Sequence, residues 1–270
     1  MLVDSHAHLT DRKLMSELPA VLTRAAAAEV EVIVTVGADP AGSRAVASLV
    51  EQIPRRASEA GPDGWPEVLG TIGVHPHDAK FVTDDLLAEM ADLATAERIV
   101  AIGETGLDFY RDLSPRDSQE IAFARQIQLA RELELPLVVH SRDAHERTMT
   151  ILERESEGQV RGVMHCFSGD RAIADRVLDL GMYIGIAGPV TYPNAKVLRE
   201  LVEVIPPERL MVETDCPYLA PQKYRGKRNE PAYVIYVAEA VAQVKGLGFD
   251  EVARTTSGNA MELFGLALEE

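Results

Sequence analysis

The sequence predicts a single (β/α)8 barrel over residues 1–270. Two observations carry that expectation. Eight short apolar runs rich in Val, Ile and Leu alternate with stretches of helical periodicity, and continuous apolar runs suit strands buried on both faces of a parallel sheet. No low-complexity segment separates two parts of the chain, so the alternation favours one barrel over a doubly wound sheet or two average domains.

In chain order, the first strand is expected at Leu2–His8 and the second at Val30–Val36. The third and fourth follow at Val68–Val74 and Arg98–Gly103, with Arg55–Pro66 read as a loop inside the barrel because it is rich in Gly, Pro and charge. Ser114-Pro115-Arg116-Asp117 has the form of a helix start: a capping hydroxyl, Pro at the first helical position and an early acid. Phe123, Ile127 and Ala130 then stripe one face of that helix. The fifth strand is expected at Leu135–His140, and Asp143-Ala144-His145-Glu146 opens the next helix in the same way. Gly162–His165 reads as the sixth strand. Ile173, Val177 and Leu180 line a helix that ends at Gly181, a residue suited to a left-handed cap. Met182–Ile186 is the seventh strand, Val197, Leu201 and Val204 stripe another helix, and Leu210–Asp215 is the eighth strand. The chain is helical from Pro231 onward, with a break near Gly246-Leu247-Gly248.

Composition narrows the class of protein. The chain is 46% hydrophobic and 26% charged, with 27 basic and 43 acidic side chains and a formal charge of −16. That apolar fraction excludes low-complexity disorder. No apolar run approaches the roughly 20 residues that span a bilayer, and the N-terminal MLVDSHAHLT lacks the apolar core of a signal peptide. A cytoplasmic protein with no membrane partner is expected, and nothing calls for an obligate protein partner. A chain this acidic needs local help, from metal ions or a basic loop, to meet a phosphate-bearing substrate. Two cysteines, Cys166 and Cys216, make no disulfide framework and are expected to be inert buried thiols.

The functional face of a (β/α)8 barrel is built at the C-terminal ends of its strands. Those ends carry His6 and His8, His75 and His77, Glu104, His140, His165 and Asp215. All seven histidines lie in the first 165 residues, six of them at strand ends. In an extended strand the H-x-H spacing points His6 and His8 to one side, so both can hold one ion. Asp4 shares their parity, as a supporting partner or as a structural carboxylate. Six ligands exceed the needs of one ion, because zinc and its relatives take three or four protein donors. They divide into His6, His8 and Asp215 for one divalent ion and His140 and His165 for another, with Glu104 between them. A set of nitrogen and oxygen donors without thiolate suits Zn, Mn, Ni or Fe, and Mg less well.

The motifs Asp4-Ser5-His6-Ala7-His8-Leu9, Gly73-Val74-His75-Pro76-His77 and Gly103-Glu104-Thr105-Gly106-Leu107-Asp108-Phe109-Tyr110 open a longer pattern. It continues through His140-Ser141-Arg142, His165-Cys166-Phe167-Ser168-Gly169 and Glu213-Thr214-Asp215-Cys216-Pro217-Tyr218-Leu219, and closes with Tyr224-Arg225-Gly226-Lys227-Arg228-Asn229-Glu230-Pro231. In these segments and their order the sequence resembles the TatD family of metal-dependent deoxyribonucleases, within the amidohydrolase-like barrels. Thr105 stands where relatives often carry an aliphatic residue. The resemblance implies a TIM-type barrel, the same ligand set, and hydrolysis of DNA phosphodiesters, as a 3′–5′ exodeoxyribonuclease.

Catalysis is then expected from Glu104 and Asp215, with two metal ions activating a water and Asp215 accepting its proton. His75 and His77 would bind phosphate or give a proton to the leaving group. Gln222–Arg228 follows the eighth strand with four cations, so Arg225, Lys227 and Arg228, together with Arg142, are expected to contact phosphate. Tyr218 and Tyr224 either stack on bases or pack with other aromatics. The same ligands would also serve hydrolysis of a carboxylic ester or amide, including deacylation of a D-aminoacyl-tRNA. A metal-dependent nucleic-acid-binding protein without turnover is the non-enzymatic alternative.

Overall fold

A computed structural model describes residues 1–55, 64–157 and 160–266; residues 56–63 of the expected Arg55–Pro66 loop lie outside the described residues. The chain begins with β1 (Leu2–Ala7), α1 (Arg12–Met15), α2 (Leu18–Ala27), β2 (Val30–Val36), α3 (Pro40–Gln52) and β3 (Glu67–Ile72). It continues with α4 (Asp84–Leu93), β4 (Ile99–Asp108), α5 (Arg116–Glu132), β5 (Leu137–Arg142), α6 (His145–Ser156) and β6 (Gly162–Met164). Last come α7 (Arg171–Asp179), β7 (Tyr183–Ile186), α8 (Lys196–Val204), β8 (Leu210–Val212), α9 (Val234–Lys245) and α10 (Phe249–Phe264). The eight strands form one sheet in the order β1 to β8, with parallel pairing wherever the register is defined. This is the TIM-type (β/α)8 barrel that the alternation of elements predicts.

Backbone contacts group the chain into two compact units: Met1–Thr35, Glu51–Leu69 and Gly185–Glu270, and Val36–Val50 with Gly70–Ile184. In the first, every residue of β1 is buried, the polar Asp4, Ser5 and His6 included, as a strand covered on both faces requires. The segment after β8 runs beside β1: the Asp215 amide donates to His6 O at 2.9 Å and the His8 amide to Cys216 O at 2.8 Å. α10 is tied to the same strand, its Ser257 hydroxyl accepting from the Val3 amide at 3.1 Å. Arg24 of α2 clasps the buried Glu230 through two nitrogens, at 2.9 and 2.6 Å. The helical C-terminal part breaks at Gly246, which has φ +65°, between α9 and α10.

In the second unit β4 runs five residues beyond the expected Gly103, to Asp108. Glycine makes that extension possible. Gly106 has φ +137°, and a Cβ there would stand 2.0 Å from the His140 carbonyl oxygen of β5. Behind β4, α5 buries Phe123 and Ile127 completely, each worth roughly 1.5–3 kcal/mol of transfer free energy. α7 ends as expected, with Gly181 at φ +74°.

Three local expectations are corrected. α5 begins at Arg116 with no side-chain cap, because the Ser114 hydroxyl instead donates to His77 O at 2.7 Å and accepts from the Lys80 amide at 3.3 Å. α6 begins at His145, also without a side-chain cap, and Asp143 sits in a left-handed conformation at φ +51°. In α8, Val197 and Val204 are 65% and 48% exposed. Its inward face is Leu198, Leu201, Val202 and the following Ile205, an i, i+3, i+4, i+7 pattern that competes with the predicted stripe on the same nine residues.

Candidate metal centre

Three of the predicted ligands lie within strands, His6 in β1, Glu104 in β4 and His140 in β5. His8, His75, His77, His165 and Asp215 lie on the segments that leave the C-terminal ends of β1, β3, β6 and β8.

In the first unit His6, fully buried, and His8 bring their Nε2 atoms to 3.3 Å. Asp215 Oδ1 is 3.2 Å from His8 Nε2 and 3.8 Å from His6 Nε2. A left-handed turn, φ +55° at Asp215, follows β8 directly. Asp4 anchors that turn: Oδ1 accepts the Thr214 amide at 2.8 Å and Oδ2 its hydroxyl at 2.6 Å, with a longer bond from the His6 amide at 3.4 Å. Burial pushes the Asp4 carboxyl up to about 8 against those hydrogen bonds. Of the two readings open for Asp4, these contacts fit the structural carboxylate.

In the second unit Glu104 Oε1 lies 2.9 Å from His140 Nδ1, 3.0 Å from His165 Nε2 and 3.5 Å from His75 Nε2. His140 Nδ1 and His165 Nε2 are 3.4 Å apart. Burial opposes ionisation of Glu104, but the imidazoles of His165 and His75 and the hydrogen bonds from His140 and His165 hold its carboxyl well below the usual range. His75 Nδ1 accepts the His77 amide at 3.1 Å, so a neutral His75 carries its proton on Nε2; burial pushes its pKa down.

Asp108 is the functional candidate that reading the sequence missed. Its Oδ2 lies 3.0 Å from His77 Nε2 and 3.4 Å from His140 Nε2. Its Oδ1 accepts the Tyr110 and Arg111 amides at 3.0 and 2.7 Å. Burial works against ionisation, yet the bonds from His140, Arg111 and His77 hold the carboxyl below its ordinary range. Parity could have found it, because residues 104 and 108 of one extended strand face the same way. Burial lowers the affinity of His140 for a proton, and Asp108 and Glu104 more than restore it. With Nε2 facing Asp108, His140 offers Nδ1 toward Glu104, the carboxylate–imidazole arrangement that orients metal-binding histidines. Thr105 accepts from Gln126 Nε2 at 2.7 Å, while Gln126 also brackets the Val74 backbone at 2.8 and 3.0 Å.

The donor geometry fits divalent ions. Bonds of about 2.0–2.2 Å from a tetrahedral ion leave neighbouring ligand atoms roughly 3.3–3.6 Å apart. The His6–His8–Asp215 triangle has edges of 3.2–3.8 Å, and the Glu104–His140–His165 triangle edges of 2.9–3.4 Å. Imidazole and carboxylate suit the transition metals named above better than Mg.

The predicted phosphate contacts are placed unevenly. The Arg142 guanidinium lies 3.9 Å over the Tyr110 ring, and that of Arg225 lies 4.4 Å over Tyr192. Lys227 is exposed. Arg228 is already engaged, pairing with Glu17 at 3.1 Å and standing 3.9 Å from Glu230. Asn229 ties this loop to the turn after β8, donating to Thr214 O at 2.8 Å and Tyr218 O at 2.6 Å. Tyr224 stacks flat on Tyr233 at 4.0 Å, the packing alternative. Tyr218 is 49% exposed, and its hydroxyl donates to Asp11 at 3.0 Å. Neither cysteine is in a disulfide; Cys216 is buried, which pushes its thiol well up, whereas Cys166 is half-buried rather than buried as expected. No helix among the described residues is long and apolar enough to cross a membrane.

Comparison with known proteins gives this geometry a context. Residues 3–265 match the family of TatD related DNases. The Bacillus subtilis protein YabD, named an uncharacterized metal-dependent hydrolase, is 44% identical over 98% of this chain and 99% of its own. An Escherichia fergusonii protein named 3′–5′ ssDNA/RNA exonuclease TatD is 37% identical, with 98% of this chain and 99% of its own covered. Among solved structures, the TatD homologue YjjV of Escherichia coli superposes with a TM-score of 0.89 at 27% identity, covering 98% of both chains.

Proposed function

Because the chain belongs to the TatD related DNase family and is a metal-dependent hydrolase by that kinship, we propose that it removes nucleotides from the 3′ end of single-stranded nucleic acid, DNA above all. The relative named as a 3′–5′ ssDNA/RNA exonuclease supports the substrate class. The observation that carries the chemistry is the pair of nitrogen and oxygen triangles with edges of 2.9–3.8 Å. His6, His8 and Asp215 would hold one divalent ion, and Glu104, His140 and His165 another. Ions bound there supply a lowered water pKa and neutralisation of charge on the phosphoryl oxygens.

The chain's own groups do the rest. The Asp215 carboxylate accepts the proton of the attacking water and orients it toward phosphorus. Glu104 places Oε1 beside His140 Nδ1 and His165 Nε2 as the third donor of that set. Asp108 holds the proton on His140 Nε2 and leaves Nδ1 as the donor atom. His77, 30% exposed at its side chain, keeps Nε2 on Asp108, so only its imidazolium form, through Nδ1–H, would give a hydrogen bond or proton to a phosphate or leaving oxygen. Arg142, Arg225 and Lys227 receive backbone phosphates, whereas Arg228 serves first to hold the loop against Glu17.

A panel tests this reading: purified protein, one divalent metal at a time, with 3′- and 5′-labelled single- and double-stranded DNA, RNA and a generic carboxylic ester. Stepwise loss of the 3′ label from single strands, dependent on metal, is expected. Ester turnover beside intact nucleic acid would overturn it.

A further inference from the structure

The loop that leaves β4 carries features that metal binding does not use. Tyr110 is 58% exposed and Leu113 56%, and Phe81, from the turn after β3, is 55% exposed. Cations stand among these apolar surfaces. Arg142 lies over the Tyr110 ring, and Lys80 Nζ lies 5.2 Å over the Phe81 ring and donates to Leu113 O at 3.2 Å. Arg111 is exposed beside Tyr110. Among the described residues neither Lys80 nor Arg142 pairs with a carboxylate, and the neighbouring Asp112 is taken by Arg116 at 3.1 Å. In a chain of net charge −16, aromatic faces next to unpaired cations run against the background.

The loop is fixed to the candidate centre rather than hung beside it. One oxygen of Asp108 accepts the Tyr110 and Arg111 amides, while the other meets His77 and His140. The Phe109 amide donates to Arg142 O at 2.9 Å, and Arg142 stands opposite Asp108 in the β4–β5 register, two residues past His140. The Tyr110–Arg142 pair therefore starts where the ligands end.

We propose that Tyr110, backed by Arg142, is a platform on which an unpaired base of a single-stranded nucleic acid stacks, with Lys80 and Arg111 taking the flanking phosphates. The proposal deepens the nuclease reading and rests on it. Any base offers a π face to such a platform, so recognition tolerates sequence, and a duplex hides those faces. The aromatic residue thereby selects single strands and frayed ends, which the metal ligands alone do not distinguish.

The test is equilibrium binding, by fluorescence anisotropy, of a labelled single strand with phosphorothioate linkages to the metal-loaded full-length protein. Tyr110→Ala and Tyr110→Phe are compared, and one abasic position is walked through the strand. Tyr110→Ala should weaken binding about tenfold, within the roughly 5- to 150-fold range of one base stack, and Tyr110→Phe should retain affinity. At one abasic position the wild type should lose the same factor, and Tyr110→Ala should then lose nothing more. Equal affinity of wild type and Tyr110→Ala for the intact strand would overturn the platform. Cleavage of a natural strand, followed in parallel, separates the two readings. Cleavage with no dependence of binding on Tyr110 sinks the platform alone; Tyr110-dependent binding with no cleavage sinks the nuclease reading alone; absence of both sinks both.

Discussion

Replacing Asp108 with Asn changes few atoms and tests the orientation of His140. In the wild type the Asp108 carboxylate accepts from His77 and His140 through Oδ2 and from two backbone amides through Oδ1. Asn keeps an acceptor for the amides, but its NH2 then confronts His140 Nε2. A neutral His140 relieves that clash by moving its proton to Nδ1, the atom 2.9 Å from Glu104 and 3.4 Å from His165. A protonated Nδ1 cannot bind a metal. Loss of such an outer partner typically costs 10- to 100-fold in metal affinity, about 1.4–2.8 kcal/mol. Competition titration of chelator-stripped protein with Zn2+ should therefore show one weakened site and one of unchanged affinity, with a similar melting temperature without metal. Two unchanged affinities in Asp108→Asn would refute this account of His140.

Three further outcomes follow from the geometry. Arg225→Ala with Lys227→Ala should lower the slope of log affinity for single strands against log salt by about 1.4, or 0.7 for each phosphate no longer neutralised; Arg228→Ala should change it less, since Arg228 is held by Glu17. Gly106→Ala should destabilise the protein by more than about 1–3 kcal/mol in denaturant unfolding, because the new Cβ would meet the His140 carbonyl at 2.0 Å with φ at +137°. In α8, Val197→Thr should stay within about 0.5 kcal/mol of wild type by thermal melting, whereas Leu201→Ala should cost roughly 2–5 kcal/mol.

The barrel and its candidate ligands were legible because each rests on a strong, local signal. Apolar runs mark doubly covered strands, and period-2 geometry turns the H-x-H of β1 into two donors on one side. Glu104 and Asp215 stood out as acids ending apolar runs. Asp108 is hidden from a reading that ends β4 at Gly103, and the pairing of Thr105 through Asp108 with β5, with Gly106 close against His140, carries the strand on. Ser114 has the chemistry of a cap, but a tertiary acceptor, His77 O, competes for its hydroxyl. In α8 two apolar arcs overlap on one short helix, and packing rather than periodicity chose Leu201 and Val202. The basic loop was visible as charge, yet the commitment of Arg228 to Glu17 depends on residues more than two hundred positions apart.

Hydrolysis is expected to require ions held by both sets of donors. The most direct test measures bound metal and 3′-nucleotide release together, in wild type, Glu104→Ala and Asp215→Ala, after stripping and stepwise reloading. Wild type should take up two ions per chain and gain activity with them. Each variant should stay folded, lose at least one ion, and fall at least about a thousandfold in rate, equivalent to roughly 4 kcal/mol of barrier. Full activity in metal-stripped wild type, or in Glu104→Ala with no loss of metal, would contradict it.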